Sequence, residues 1–224
     1  MHPDTRKQFA VITGDFIGFS HLGVETRQRM PVEMARCGEA LMQSFPGVMS
    51  HQIAVFRGDA WQALIDDPVR SFRAALFIRA YIRSATAGTG LDTRMAIGIG
   101  AIDYVPAGQV SAGDGDAYRR SGKRLEAMAR PNKGRLRYAC PEDTGEAMTD
   151  AVVRLAGTFA DAWSSRQAHA ILGALQGHPP ARIAAEWSDP ITRQAVGKHL
   201  ARAAWPAIAH AVAVFEGWMA KGMK

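Results

Sequence analysis

The stretch FAVITGDFIGFSHL, residues 9–22, decides the fold. Phe9 to Thr13 is a short apolar run with β-branched members, the pattern of a strand covered on both faces. Gly14 and Asp15 follow, and they read as a strand end whose carboxylate stands at the edge of a sheet. A second stretch, IAVFRGDAWQALI at residues 53–65, repeats the arrangement at Gly58-Asp59. Its two halves, His51 to Phe56 and Trp61 to Ile65, read as a hairpin with Asp59 at the tip. Two carboxylates on neighbouring strands form a hard-oxygen seat for Mg²⁺ or Mn²⁺. The plain alternative is two turn aspartates.

Outward from this pair, helix and strand alternate. Thr26 to Phe45 has helical spacing, with Met30, Met34, Cys37, Leu41 and Met42 on one side, and Pro46-Gly47 stops it. Pro68 to Ser84 is a second helix with Phe72, Ala75, Leu76 and Ile82 inward and Arg70, Arg73, Arg79 and Arg83 mostly outward. Arg94 to Tyr104 is a strand whose glycines imply a bulge or a close backbone. The segment SAGDGDAYRRSGKRLEAMAR, residues 111–130, starts glycine-rich and turns helical near Ala117. This places Arg120 and Arg124 on one face, where they suit a polyphosphate or a solvated basic surface. Arg135 to Ala139 is a further strand, and Glu142 to about Ala162 a further helix with its start at Pro141-Glu142-Asp143. The order is that of an α+β split β-α-β sheet with helices on one face.

Beyond Ser164 the chain is helical and alanine-rich, so the expected division is residues 1–158 and 159–224. Ser164 caps a helix that Gly177 closes. A short helix spans Pro179 to Glu186, and a third follows the turn Trp187-Ser188-Asp189-Pro190. In that third helix Val196, Leu200 and Ala203 face a core, whereas Arg193, Gln194, Lys198, His199 and Arg202 present donors. This is the outline of a small all-α helix-turn-helix domain that reads duplex DNA, or of a plain trihelical or dimerisation unit. Trp205 to Trp218 extends a final amphipathic helix.

Of 224 residues 47% are hydrophobic and 21% charged, with a formal charge of +6. A basic excess permits nucleic-acid or nucleotide partners without requiring them. No apolar run nears the roughly 18–20 residues a membrane span needs, and no secretory signal is read, so a cytoplasmic location and no membrane partner are expected. Cys37 and Cys140 have no neighbouring Cys or His at metal-ligand spacing and read as ordinary buried residues.

On these residues the first part resembles the catalytic domain of the class III nucleotidyl cyclases, a palm-type, ferredoxin-like sheet. VITGDFIGFSHL looks like the family's first metal motif and FRGDAWQAL its second. TRMAIGIGAI is similar to the strand with the base-contacting lysine, and KRLEAM resembles the end of the transition-state motif. The resemblance implies that Asp15 and Asp59 hold metal, that Phe16, Ile17, Gly18 and Phe19 cradle a nucleoside triphosphate, and that Arg124 neutralises phosphoryl charge. It also implies a homodimer with composite sites. Arg94 stands in place of the purine-selecting lysine and Arg120 in place of an asparagine, so base choice does not carry over. The whole chain looks closer still to the SatD-like bacterial proteins, which pair such a domain with a helix-turn-helix. Three functions follow as expectations: a nucleotide-responsive DNA-binding regulator, an active cyclase or polymerase making a cyclic or oligonucleotide signal, and an interaction scaffold that keeps only the fold.

Overall fold

The structure is a computed structural model that describes residues 7–129, 134–141 and 145–222. The expected helix start at Glu142-Asp143 lies outside these residues. Strand β1 (Phe9–Ile17) is the central strand of a five-stranded mixed sheet, in the order β2 (Ala54–Phe56), β3 (Ala60–Ile65), β1, β4 (Asp92–Gly100), β7 (Leu136–Ala139). It runs antiparallel to β3 and β4, whereas β7 is parallel to β4. Helix α1 (Val24–Ser44) connects β1 to β2, and α2 (Ser71–Ala85) connects β3 to β4. The connectivity β1-α1-β2-β3-α2-β4 with this order is the expected split β-α-β arrangement.

The side-chain alternation of β1 separates two cores. Ala10, Ile12 and Phe16 join the main cluster with Met30, Met34, Cys37 and Leu41 of α1 and Phe72, Ala75, Leu76 and Ile82 of α2. Val11 points the other way, to Ala117 and Tyr118 of α3 (Asp116–Ala127). The helices therefore lie on both faces, not on one as expected. Parallel neighbours β4 and β7 force the chain across a face of the sheet, and α3 makes that crossing. Gly98 and Gly100 permit it, because a Cβ at either would collide with α3 at Ala117, Ser121 or Arg120. The expected strand from Arg94 to Tyr104 breaks at Ala101, and β5 (Ile102–Tyr104) leaves the sheet to pair with β6 (Asp114–Gly115).

Arg79 departs from the outward face expected of it. It is fully buried and donates to Asp92 (3.0 and 2.7 Å), Asp161 (2.6 Å) and the Gly157 carbonyl (3.1 Å). Arg83 and Arg135 also reach Asp92, each at 2.6 Å. This network ties α2 and β4 to α4 (Glu146–Asp161).

The tail comprises α5 (Ser165–Leu175), α6 (Pro180–Ala185), α7 (Arg193–Arg202) and α8 (Trp205–Gly222). The Ser164 capping box and the left-handed Gly177 begin and close α5 as expected. The main core continues without a break through Ile171, Ile183, Val196, Ile208 and Phe215. Phe215 packs on Phe72 and Tyr138, with ring centroids 5.4 and 5.5 Å apart. Arg73 grips Glu216 at 2.6 and 2.8 Å and the Leu175 carbonyl at 2.8 Å. The expected boundary at 158/159 falls inside α4. Residues 186–192 connect α6 and α7, a longer link than the three- or four-residue turn of a helix-turn-helix. Trihelical unit is thus the description that fits α5–α7.

Candidate functional site

Asp15 lies inside β1, not in a turn after it, since the strand continues to Ile17. Gly14 has a packing reason rather than a turning one: a Cβ there would occupy the space of the Trp61 indole. The Trp61 nitrogen donates to Thr93 Oγ1 at 3.0 Å, and Thr93 Oγ1 donates to the Asp15 carbonyl at 2.6 Å. Indole and threonine together fix the backbone that carries Asp15. Gly58, by contrast, is a true turn glycine with φ 83°, following Arg57 at φ 52°.

The ladder sets Asp15 opposite Ala60 of β3 and opposite Arg94 of β4. Asp59 immediately precedes Ala60, and its carbonyl accepts from the Phe16 N–H at 2.9 Å. The two aspartates expected to meet are therefore brought to one end of the sheet. Asp59 is exposed, whereas the Asp15 side chain is 21% exposed and already paired. Arg94 Nε donates to both Asp15 oxygens at 2.7 and 2.9 Å, and Nη2 donates at 2.7 Å. The hydrogen bond to Asp15, helped by the charges of Asp15 and Asp59, raises the already high guanidinium pKa. Asp59 thus lies within electrostatic reach of the same cation.

Arg94 Nη1 also lies 3.4 Å from the Met128 carbonyl, at the C-terminal end of α3. A helix C-terminus carries partial negative charge and favours a cation. The glycine-rich start of α3 lies at the other end of the sheet. Arg120, beside that start, donates to the Ile99 carbonyl at 2.8 Å. At strand rise, Ile99 is roughly 17 Å along β4 from Arg94. Arg124 is ion-paired with Glu146 of α4. Arg120 is thus held toward the end of β4 away from Asp15, and Arg124 is engaged by a carboxylate of its own chain.

Phe16 is buried and its ring stacks on that of Phe19, 5.4 Å between centroids. Ile17 is half-buried, and Gly18 is exposed in the left-handed region at φ 74°. The chain there turns back through the His21 N–H, which donates to the Gly18 carbonyl at 3.0 Å. Phe16 faces the main core, on the side of β1 away from Asp15.

Sequence reasoning missed a buried polar string under the site. Gln62 Nε2 donates to Thr13 Oγ1 at 3.0 Å, Thr13 Oγ1 lies 2.8 Å from Ser121 Oγ, and Ser121 Oγ donates to the Tyr118 carbonyl at 3.0 Å. It fastens α3 to the face of the sheet that bears Asp15. A glutamine within the apolar run AWQALI was the available signal.

Among the described residues no three His, Cys, Asp or Glu side chains converge on a point. Two carboxylates alone suit Mg²⁺ or Mn²⁺, which take remaining ligands from water and phosphate oxygens. The donor set fits such an ion provided that Arg94 yields Asp15.

In the tail, Arg193, Gln194, Lys198 and Arg202 are exposed, with Gln194, Lys198 and Arg202 in one stripe at i, i+4 and i+8 along α7. His199 is half-buried and stacks on Trp187 at 5.9 Å, whose other contact is His169 at 4.3 Å. Burial, with the charges of Arg166 and Arg202, lowers the His199 pKa. The stack on Trp187 packs α7 against the preceding loop. No helix among the described residues is long and apolar enough to cross a membrane. Comparisons of the chain with protein-family models, with curated proteins and with solved structures give no match.

Proposed function

We propose that the chain is a nucleotide-responsive regulator: a palm-type, ferredoxin-like sheet that binds a nucleoside triphosphate with Mg²⁺ or Mn²⁺, joined to a DNA-binding trihelical tail. The observation that carries this reading is the ladder register that brings Asp15 beside Asp59 with Arg94 held between them and α3. The metal ion, held by Asp15 and Asp59, would supply positive charge to offset that of the phosphate. Asp15 and Asp59 supply hard oxygen donors on two adjacent strands. Arg94, freed from Asp15, is a planar donor suited to a phosphate oxygen. Gly18 leaves the backbone after the strand open to close approach. In the tail, Gln194, Lys198 and Arg202 supply the donors of a groove-facing helix.

Equilibrium binding of fluorescent nucleoside triphosphates tests the site. Saturable binding that requires Mg²⁺ and is lost in Asp59→Asn supports it; no binding of any triphosphate at millimolar metal refutes it. Catalysis is the second reading, and Arg124 favours it, lying on the helix whose end meets Arg94. Arg120 and Arg124 would then come from a second copy to complete a composite site. A new product by chromatography, absent in Asp59→Asn, is the required result.

A further inference from the structure

The link between α6 and α7, residues 186–192, carries one aromatic side chain, Trp187, and two imidazoles close on it. His169 of α5 meets the indole at 60° with 4.3 Å between ring centroids, and His199 of α7 stacks on it at 21° and 5.9 Å. His169 Nδ1 also lies 3.2 Å from Ser84 Oγ of α2. Trp187 itself is half-buried against the main core. A single ring thus ties the link to α5 and α7 and, through His169, to α2.

The charges around the two imidazoles are arranged against protonation. Glu186 is the carboxylate that acts on His169. It is already engaged by Arg182 at 2.8 Å, with His178 Nδ1 3.3 Å from its other oxygen. His199 is faced by two cations, Arg166 of α5 and Arg202 of its own helix. Helix α2 contributes the neutral Ser84 hydroxyl. Burial lowers the pKa of both rings; the Glu186 charge works against this at His169, and the Arg166 and Arg202 charges add to it at His199. An indole face attracts a cation out to about 6 Å, but His199 stands at the edge of that range with two guanidiniums opposed to it.

We propose that Trp187 and its two imidazoles form an acid-released latch: the link lies closed on α5 and α7 while both rings are neutral and swings out when they take up protons. The open form gives both imidazoles to water, where each titrates at roughly 6.5. It therefore binds protons more readily than the closed form, so closure is complete above that value and is lost as pH falls below it. In that range each histidine raises the opening constant by up to about tenfold per pH unit, and the two together by up to about a hundredfold.

The release is local. Helices α5 and α7 keep their places, because Ile171, Val196 and Leu200 hold them in an apolar core that does not titrate. Burial would raise Asp92, but Arg79 and Arg83 hold it below the ordinary carboxylate range, so the sheet keeps its network at a pH that opens the link. The latch is independent of what the Asp15 site and the α7 stripe bind.

Proton NMR of the full chain from about pH 8 to about pH 5, with the imidazole signals assigned through His169→Gln and His199→Gln, should give both histidines midpoints below roughly 6.5. Over the same range tryptophan emission should shift to the red while far-ultraviolet circular dichroism stays constant. The shift should vanish in Trp187→Phe and in the double variant His169→Gln/His199→Gln, whose amides stay neutral. The proposal is overturned by either midpoint at or above the ordinary value, by wild-type emission that does not move, or by a shift that survives in either variant. Loss of helix signal in the same step overturns it too, because the chain would then be unfolding as a whole. Wild-type emission and dichroism decide the matter even where a variant does not fold.

Discussion

Arg94 closes on Asp15 through Nε and Nη2 in three contacts of 2.7–2.9 Å, across directly paired positions of β4 and β1. A cation thus occupies the carboxylate that a metal ion would need. The pair is only partly shielded, with 31% of the arginine side chain and 21% of the aspartate side chain exposed. Such pairs contribute roughly 1 kcal/mol or less to stability. The arginine can leave without unfolding the strand, and metal binding at Asp15 competes with it.

Removing Arg94 should therefore strengthen metal binding in the absence of nucleotide. Arg94→Met is expected to bind Mn²⁺ about tenfold more tightly than the wild type, a gain of about 1.4 kcal/mol. Electron paramagnetic resonance of free Mn²⁺ reads it directly. Triphosphate affinity should fall in the same variant, because the phosphate loses a donor. Unchanged Mn²⁺ affinity would show that Arg94 does not guard the carboxylate.

Asp92 should be the most sensitive acidic residue for stability. It is 3% exposed and takes hydrogen bonds from Arg79, Arg83 and Arg135. Burial alone would raise its pKa, but the hydrogen bond and charge of Arg79, with the charge of Arg83, bring it below the ordinary carboxylate value. Asp92→Ala leaves the buried Arg79 short of a partner, and a loss of about 3–5 kcal/mol follows. A folded pKa below the unfolded one gives stability that is complete above the unfolded value of roughly 3.9. That stability is lost as pH falls through the folded value. Urea midpoints of the wild type should drop steeply below about pH 4, whereas those of Asp92→Asn should start lower and fall less.

Gly14 should tolerate no side chain, although the strand around it is regular. Gly14→Ala drives a methyl group into the Trp61 indole, and overpacking of this kind destabilises by about 1–3 kcal/mol. Tryptophan emission should shift as the indole loses its bond to Thr93. Restoring space with Trp61→Phe should recover part of the loss, which a double-mutant cycle in urea measures.

The contrast between Gly14 and Gly58 shows what the chain reveals locally. Both precede aspartate after a β-rich run, and both read as turns. Gly58 is one, because its neighbours alone decide the hairpin. Gly14 is not, because its reason is a ring on the neighbouring strand. Arg79 differs from its expectation in the same way: helical period puts it with Arg70, Arg73 and Arg83, while a carboxylate on β4 and another on α4 draw it inside. The strands and the methionine stripe of α1 were legible because apolar spacing is a local signal. The face taken by α3 was not, since Gly98 and Gly100 announce a close neighbour without saying which. Asp15 and Asp59 could be paired from sequence because each follows glycine after a β-rich run. Arg94 as the counterion of Asp15 depended on register, which only the ladder supplies.

The α7 stripe gives the last expectation. Gln194, Lys198 and Arg202 project from α7 on one side, away from buried Val196 and Leu200. If that side meets duplex DNA, Lys198→Ala and Arg202→Ala should each weaken binding uniformly across sequences when their partners are phosphates. Each should also lower the slope of log K against log salt by about 0.9. Gln194→Ala should relax sequence preference with little change in salt slope, because an amide reads base edges. His199 belongs to the Trp187 stack, so His199→Ala should lower the melting temperature and affect DNA binding only through folding. Selection from a random duplex pool, followed by fluorescence anisotropy over a salt series with and without triphosphate and Mg²⁺, separates these effects. Equal affinity of the wild type and a Lys198→Ala/Arg202→Ala double variant would remove α7 as the reading helix and leave the tail as a packing unit.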